Sequence, residues 1–188
     1  MKNVILLGIK HCGKSTQGKL LSSRLSLPFF DTDDMIFELT KKTPREIYAS
    51  DGKEAFLKAE AEACRVLSKK SERFVAATGG GFCTNDEAVS ILKPCGLFVF
   101  LEADEKTAGD RIVREIKISE DGKMSNLPAY IKSENPSSIE EVRAIFHRFF
   151  EERTALYRSI CDVCVKMLPV SKEENLLRIV HALSLLEQ

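Results

Sequence analysis

The sequence lacks any run of apolar residues near the roughly 20 that a membrane-spanning helix requires. Its first apolar run meets His11, Gly13 and Lys14 with no small-residue cleavage pattern, so we expect no export signal. Net charge is also lacking, because 28 Lys and Arg residues balance 28 Asp and Glu residues. We therefore expect no membrane or nucleic-acid partner, and local geometry must hold any bound anion.

Evidence for disulfide bonds is lacking as well, although the chain has six cysteines. Without an export signal they are expected to be free thiols of a cytoplasmic protein. Cys161 and Cys164 form a C-x-x-C pair, but no further ligands occur at zinc-binding spacing. We predict core thiols, with a metal or redox site as the alternative.

Short apolar runs alternate with amphipathic stretches along the 188 residues, which is typical of a single α/β domain. The pattern predicts strands over residues 4–7, 28–30, 74–77, 97–102 and 162–167. It predicts helices over residues 14–25, 33–40, 43–49, 53–69, 85–92, 105–116, 138–157 and 173–186. Residues 117–138 are polar and break the alternation, which predicts a functional lid, with a mobile insertion as the alternative.

Residues 8–15 read G-I-K-H-C-G-K-S and fit the pattern G-x-x-x-x-G-K-[ST]. Because the motif follows an apolar strand and opens a helix, it predicts a phosphate-binding loop rather than a plain glycine turn. Gly8 and Gly13 let backbone N–H groups turn toward a phosphate at the helix N-terminus. Lys14 then places its charge on the β- and γ-phosphates, and Ser15 offers its hydroxyl to Mg²⁺.

Two further elements follow the second and third predicted strands. Asp31 and Asp33 lie where open α/β sheets bind ligands, which suits one carboxylate to Mg²⁺ and the other to a substrate hydroxyl. The alternative is that one aspartate of this cluster, such as Asp34, caps the next helix. The three glycines at 79–81 predict a close approach of backbone N–H groups to a ligand, with a plain turn as the alternative.

With these motifs in order, the chain resembles the shikimate kinase family over nearly its full length. The matching elements are the loop 8–15, Asp31 and Asp33, Gly52-x-x-x-Phe56-x-x-x-Glu60, glycines 79–81, Arg111 and Arg153-x-x-x-Tyr157-Arg158. The glycine triplet separates this family from adenylate and gluconate kinases. The resemblance implies one domain, residues 1–188, with a three-layer α/β P-loop kinase fold. Its parallel sheet has five strands in the order 2-3-1-4-5 between helices, with a substrate-binding helical region at about 32–60 and a lid at about 112–136.

The resemblance also implies a reaction: ATP- and Mg²⁺-dependent phosphoryl transfer to the 3-hydroxyl of shikimate, in aromatic amino acid biosynthesis. We expect a monomer whose partner is this small-molecule substrate. The resemblance assigns ATP to Gly8, Gly13, Lys14, Ser15, Thr16 and Arg111, and Mg²⁺ to Ser15 and Asp31. It assigns catalysis to Lys14 and Asp33, and substrate binding to Asp33, Gly79, Gly80, Gly81 and Arg153.

The sequence departs from the family pattern at two arginine positions, which hold Leu57 after Phe56 and Asn126 in the lid. Arg153 then remains to bind the substrate carboxylate, and the nearest basic substitutes in the chain are Lys58, Lys123 and Lys132. Two alternatives stay open. One is a related kinase for another small hydroxyl compound, and the other is a nucleotide-binding protein without catalysis.

Overall fold

The computed structural model describes residues 2–119 and 122–186. Glu120 and Asp121 of the predicted lid lie outside the described residues. The described strands are β1 (Asn3–Leu7), β2 (Phe29–Asp31), β3 (Val75–Ala77), β4 (Gly96–Glu102), β5 (Lys117–Ile118), β6 (Met124–Ser125) and β7 (Val163–Lys166). Five of them form a parallel sheet in the order β2-β3-β1-β4-β7. The predicted strand order is confirmed, with β7 as the fifth sheet strand because the β5–β6 hairpin precedes it.

Helices flank this sheet and connect its strands. They are α1 (Lys14–Leu25), α2 (Thr32–Thr40), α3 (Pro44–Ser50), α4 (Gly52–Ser68), α5 (Asp86–Leu92), α6 (Glu105–Glu115), α7 (Ala129–Lys132), α8 (Ile139–Ile160) and α9 (Lys172–Ser184). Side chains cap most of the helix starts and satisfy N–H groups that a helix leaves open. The capping residues of α2, α3, α5, α6, α8 and α9 are Asp31, Thr43, Asn85, Asp104, Ser138 and Ser171. Helix α1 has no side-chain cap.

The central strand β1 forms the middle of the core. Its residues from Val4 to Leu7 are fully buried, as a continuous apolar run in a central parallel strand requires. Phe100 of β4 stacks on Tyr157 of α8, with ring centroids 5.2 Å apart. The Tyr157 hydroxyl donates to the Gly79 carbonyl at 3.4 Å, so the packing of α8 also holds the glycine triplet.

The segment after α6 is more ordered than the sequence indicated. Within residues 117–138, which the sequence assigned to a lid without regular elements, β5 pairs with β6 as a hairpin and α7 forms one further turn. Asn126 follows the hairpin with a φ of 67°, a left-handed conformation that Asn adopts more readily than most residues. This turn brings the chain back toward α3.

All six cysteines are free, as predicted, but the C-x-x-C pair does not lie in the core. Cys161 directly follows α8 and is half-buried, while Cys164 is exposed because β7 is an edge strand with one open side. The Cys164 thiol donates to Glu102 Oε2 at 3.1 Å. Within residues 2–119 and 122–186, no three His, Cys, Asp or Glu side chains are grouped to hold a metal ion. Over the same ranges, no helix has the length and apolar character needed to cross a membrane.

Asn3 connects the starts of three sheet strands. Its Oδ1 accepts from the N–H of the buried Phe74 at 3.0 Å, and its Nδ2 donates to the Cys95 carbonyl at 2.8 Å. Asn3→Ala leaves the Phe74 N–H without this acceptor, so we expect the free energy of unfolding to fall by about 1–3 kcal/mol in a urea titration. Ser159→Ala, which removes an exposed hydroxyl, is the control, with an expected change within about 0.5 kcal/mol. Equal stability of the two variants would contradict this role for Asn3.

Candidate active site

The candidate site residues predicted from the sequence lie at the carboxyl edge of the sheet. The loop 8–15 follows β1, Asp31 ends β2, and glycines 79–81 follow β3. Arg111 lies on α6, which follows β4, and Arg153 reaches the same edge from α8. Because parallel strands end on one side, ligands of open α/β sheets bind at this edge.

The loop between β1 and α1 surrounds the Lys14 side chain. Gly8 has a φ of +145°, and a Cβ there would lie 2.7 Å from Cys12 Sγ, so only glycine fits. Gly13 has a φ of +100°, which also favours glycine. The Lys14 ammonium donates to the carbonyls of Gly8 and Ile9, both at 2.8 Å. Since α1 has no side-chain cap, the open N–H groups of its first turn fit a phosphate.

Ser15 and Asp31 meet directly beside this loop. The Ser15 hydroxyl donates to Asp31 Oδ2 at 2.6 Å. Asp31 Oδ1 accepts from the Asp33 N–H at 3.1 Å and so caps α2. Capping therefore occurs in this cluster, at Asp31 rather than Asp34, because the cap is the residue directly before the helix. Hydroxyl and carboxylate oxygens together suit Mg²⁺, which takes few protein ligands and completes its shell with water and phosphate oxygens.

Asp33 lies between the loop and the glycine triplet. A Cβ at Gly79 would lie 3.1 Å from carboxylate oxygens of both Asp33 and Glu60, so the backbone passes close to two acids. Asp33 is exposed to solvent where it lines a cavity, while protein atoms crowd the other sides of its carboxyl group. This burial, together with the charge of Asp31, raises the pKa of Asp33 to about 6. Burial likewise raises the pKa of Glu60 to about 7.

Arg153 faces the glycine triplet from α8. Its Nη1 donates to the Gly80 carbonyl at 3.2 Å, and a Cβ at Gly81 would lie 3.5 Å from its Nη2. The guanidinium carbon lies 4.2 Å from the ring centroid of Tyr130, a cation–π contact that orients its plane. The buried Nε has no hydrogen-bond partner among the described residues. Arg153 is therefore oriented at the site with hydrogen-bonding capacity to spare.

Two cavities lie on either side of the loop 8–15. The first cavity, of about 520 Å³, is lined by residues that include Asp33, Gly79, Gly80, Gly81 and Arg153. The second cavity, of about 370 Å³, is lined by residues that include Cys12, Gly13, Thr16, Arg111 and the segment 167–170. Arg111 Nη1 also donates to the His11 carbonyl at 2.5 Å, which ties α6 to the loop. The predicted substrate residues line the first cavity, and Gly13, Thr16 and Arg111 of the predicted nucleotide residues line the second.

Comparison with known proteins identifies the family. The family model for shikimate kinase matches residues 10–184. The chain is 33% identical to the shikimate kinase of Francisella tularensis subsp. novicida over 165 residues, which are 88% of this chain and 85% of that protein. It is 40% identical to the shikimate kinase of Pelotomaculum thermopropionicum over 112 residues, 60% of this chain and 64% of that protein. The chain belongs to the shikimate kinase family.

Solved structures of shikimate kinases have the same fold. The enzyme from Aquifex aeolicus matches with a TM-score of 0.71 and 27% identity, covering 97% of this chain and 96% of that one. The enzyme from Acinetobacter baumannii in complex with shikimate matches with a TM-score of 0.81 and 23% identity, covering 100% and 95%. These matches agree with the five-stranded parallel sheet and its flanking helices.

This shikimate kinase family member differs from the sequence-based expectation in the basic groups of its first cavity. Leu57 of α4 lines the cavity, whereas the expected substitutes Lys58, Lys123 and Lys132 are not among its described lining residues. For Lys58 the reason is helical geometry, since one position along a helix turns a side chain by about 100°. The basic residues that do line the cavity are Lys10, Arg45, Lys53 and Arg153. Sequence analysis assigned no role to the first three. Lys10 lies within the loop 8–15, whereas Arg45 reaches the cavity only through tertiary packing.

The aspartates at the end of β2 allow a test of the site's electrostatics. We expect the Asp33 carboxyl to titrate with a pKa of about 6 when its side-chain ¹³C shift is followed by NMR. Asp31→Asn removes the neighbouring negative charge that raises the pKa of Asp33 most, so this pKa should fall. The control Asp34→Asn should lower the pKa less. An Asp33 pKa near the ordinary value of about 3.9 would contradict the described environment.

Proposed function

We propose that the protein transfers the γ-phosphoryl group of ATP to the 3-hydroxyl of shikimate, giving shikimate 3-phosphate and ADP. The observation that carries the proposal is the position of the loop 8–15 between the two cavities. A nucleotide in the second cavity and an alcohol in the first meet at this loop, beside Lys14 and Asp33. Phosphoryl transfer depends mainly on such positioning and on electrostatic stabilisation.

The second cavity and the loop are assigned to ATP. Gly8 and Gly13 shape the loop, and the open N–H groups of Lys14, Ser15 and Thr16 bind phosphate oxygens at the start of α1. Lys14 holds a positive charge where the γ-phosphoryl group moves. Arg111 lines the same cavity and lies against the adenine.

Ser15 and Asp31 are assigned to Mg²⁺. Their oxygens are 2.6 Å apart, and their chemistry is that of a hard-cation site. When bound, the metal ion neutralises charge on the phosphates. The second oxygen of Asp31, Oδ1, accepts a hydrogen bond from the Asp33 N–H. This bond fixes the proposed metal ligand to the start of α2.

The first cavity is assigned to shikimate. Asp33 accepts the proton of the 3-hydroxyl as the hydroxyl oxygen bonds to the γ-phosphorus and the bond to ADP breaks. With a pKa of about 6, Asp33 is ionised at neutral pH and more basic than an ordinary aspartate. Backbone groups of Gly79, Gly80 and Gly81 contact the substrate, and Arg153 pairs with its carboxylate.

We place this reaction in aromatic amino acid biosynthesis, in the cytoplasm, carried out by a monomer. The six free cysteines support a reducing compartment.

The test is ADP release in a coupled assay with ATP and Mg²⁺, with and without shikimate. We expect saturable turnover that requires shikimate. Lys14→Ala should lower kcat at least ~10²-fold, because electrostatic stabilisation of the transferred group is lost, with an unchanged thermal melt by circular dichroism. Lys19→Ala, farther along α1 and outside the loop, is the matched control and should retain full kcat.

Other outcomes of this assay would change the assignment. Turnover with a different small alcohol but not with shikimate would keep the kinase and replace its acceptor, an outcome that the apolar Leu57 in the first cavity would then explain. If no alcohol supported any turnover, the protein would be a nucleotide-binding protein without kinase activity. A folded Lys14→Ala variant with normal kcat would refute the role of the loop.

Asp33 and Asp31 should respond differently to substitution. Asp33→Asn should lower kcat at least ~10²-fold, the lower range for a general base, while Asp31→Asn should raise the Mg²⁺ concentration needed for half activity. Because protonation removes the base, kcat/KM of the wild type should fall as the pH drops through about 6. Asp34→Asn is the control for both effects. If Asp33→Asn retained full kcat, Asp33 would not be the general base and its role would be structural.

A further inference from the structure

The first cavity has an excess of positive charge beyond Arg153. Four basic side chains line it against two acidic ones, Asp33 and Glu152, and of the four, Lys10 pairs with Glu115 at 3.6 Å. Arg45, Lys53 and Arg153 have no carboxylate within 4 Å among residues 2–119 and 122–186. Cations left without protein carboxylates in a cavity suit an anionic ligand.

Arg45 differs from Lys53 in that the protein already orients it. It lies in the first turn of α3, and its Nη1 donates to Asn126 Oδ1 at 2.6 Å. Its Nη2 donates to the Leu127 carbonyl at 3.2 Å. A guanidinium has five N–H groups, so these two bonds fix its plane and leave three for a ligand.

Asn126 is itself held in place, so its acceptor cannot turn away. Its Nδ2 donates to the Glu115 carbonyl at 2.9 Å, which directs Oδ1 toward Arg45. The side chain therefore connects the end of α6, the lid hairpin and α3 at the rim of the first cavity. Asn126 stands where the family pattern has an arginine and carries no charge, but its side chain orients Arg45 of α3.

We propose that Arg45 binds the carboxylate of the substrate together with Arg153, and that Asn126 positions it. The inference rests on the proposed function and names the group that replaces the arginine absent at position 57. Arg45 reaches the cavity from α3, and the apolar side chain of Leu57, which lines the same cavity, is left to pack against the ring of the substrate. A preordered planar guanidinium loses little freedom on binding a carboxylate. Lys53, whose ammonium makes no hydrogen bond among the described residues, loses more.

The experiment compares Arg45→Met with the matched control Lys53→Met, which removes another unpaired cation from the same cavity. In steady-state assays, Arg45→Met should raise the KM for shikimate at least about tenfold, the low end for a charge-assisted hydrogen bond. Its kcat and its KM for ATP should stay within about threefold of the wild type. Lys53→Met should change the KM for shikimate by less than about threefold.

A rescue variant separates substrate binding from a purely structural role at the lid. Leu57→Arg supplies a guanidinium from α4, so in the Arg45→Met background it should lower the KM for shikimate about tenfold. In the wild-type background, Leu57→Arg should change the KM for shikimate much less, because Arg45 already binds the carboxylate. Asn126→Leu should raise the KM for shikimate less than Arg45→Met does, since the guanidinium remains.

Each result decides the matter. An unchanged KM for shikimate in Arg45→Met, or a larger rise in Lys53→Met, would overturn the assignment of Arg45. A lower kcat together with a higher KM for ATP in Arg45→Met, without rescue by Leu57→Arg, would show that Arg45 is a structural link to the lid instead. Absence of shikimate turnover by the wild type would overturn the proposed function itself, an outcome distinct from the others.

Discussion

The pairing of β1 with β3 on one side and β4 on the other determines where the functional groups lie. Leu6 pairs with Ala77 and Leu7 with Phe100, so the loops after β1 and β3 leave the sheet side by side. They run so close that a Cβ at Gly80 would lie 2.6 Å from the Lys10 backbone nitrogen. Glycine at position 80 is therefore a packing requirement of the two loops, and the lack of side chains along the triplet exposes backbone to a ligand.

Helix α8 links the stability of the core to the geometry of the site. Arg153 and Tyr157 are four residues apart and so share one face of the helix. Tyr157 is fully buried against Phe100 and donates to Gly79, while Arg153 donates to Gly80. The aromatic packing that holds α8 on the sheet thus also sets the distance between Arg153 and the glycines, which a guanidinium on a mobile loop would not achieve.

Features that depend on local pattern could be predicted from the sequence, whereas those that depend on long-range packing could not. The apolar run before Gly8 and the glycine spacing after it predicted β1 and the start of α1, and the strand order followed from a family resemblance. Arg45 escaped prediction because its contact with Asn126 spans 81 positions in sequence. The candidates from the sequence were Lys58 and the lid lysines Lys123 and Lys132, and none of them is among the described residues that line the cavity.

Overall neutrality conceals an uneven distribution of charge. Four surface arginines pair with neighbouring carboxylates, in the pairs Arg65–Glu87, Arg143–Asp110, Arg148–Glu134 and Arg158–Glu102. Arg45 and Arg153 have no such partner among the described residues, and both line the first cavity. A neutral protein has little long-range field to steer an anion, and salt screens what remains. Affinity for an acidic substrate must therefore arise at contact distance, from guanidinium groups that other parts of the fold have already oriented.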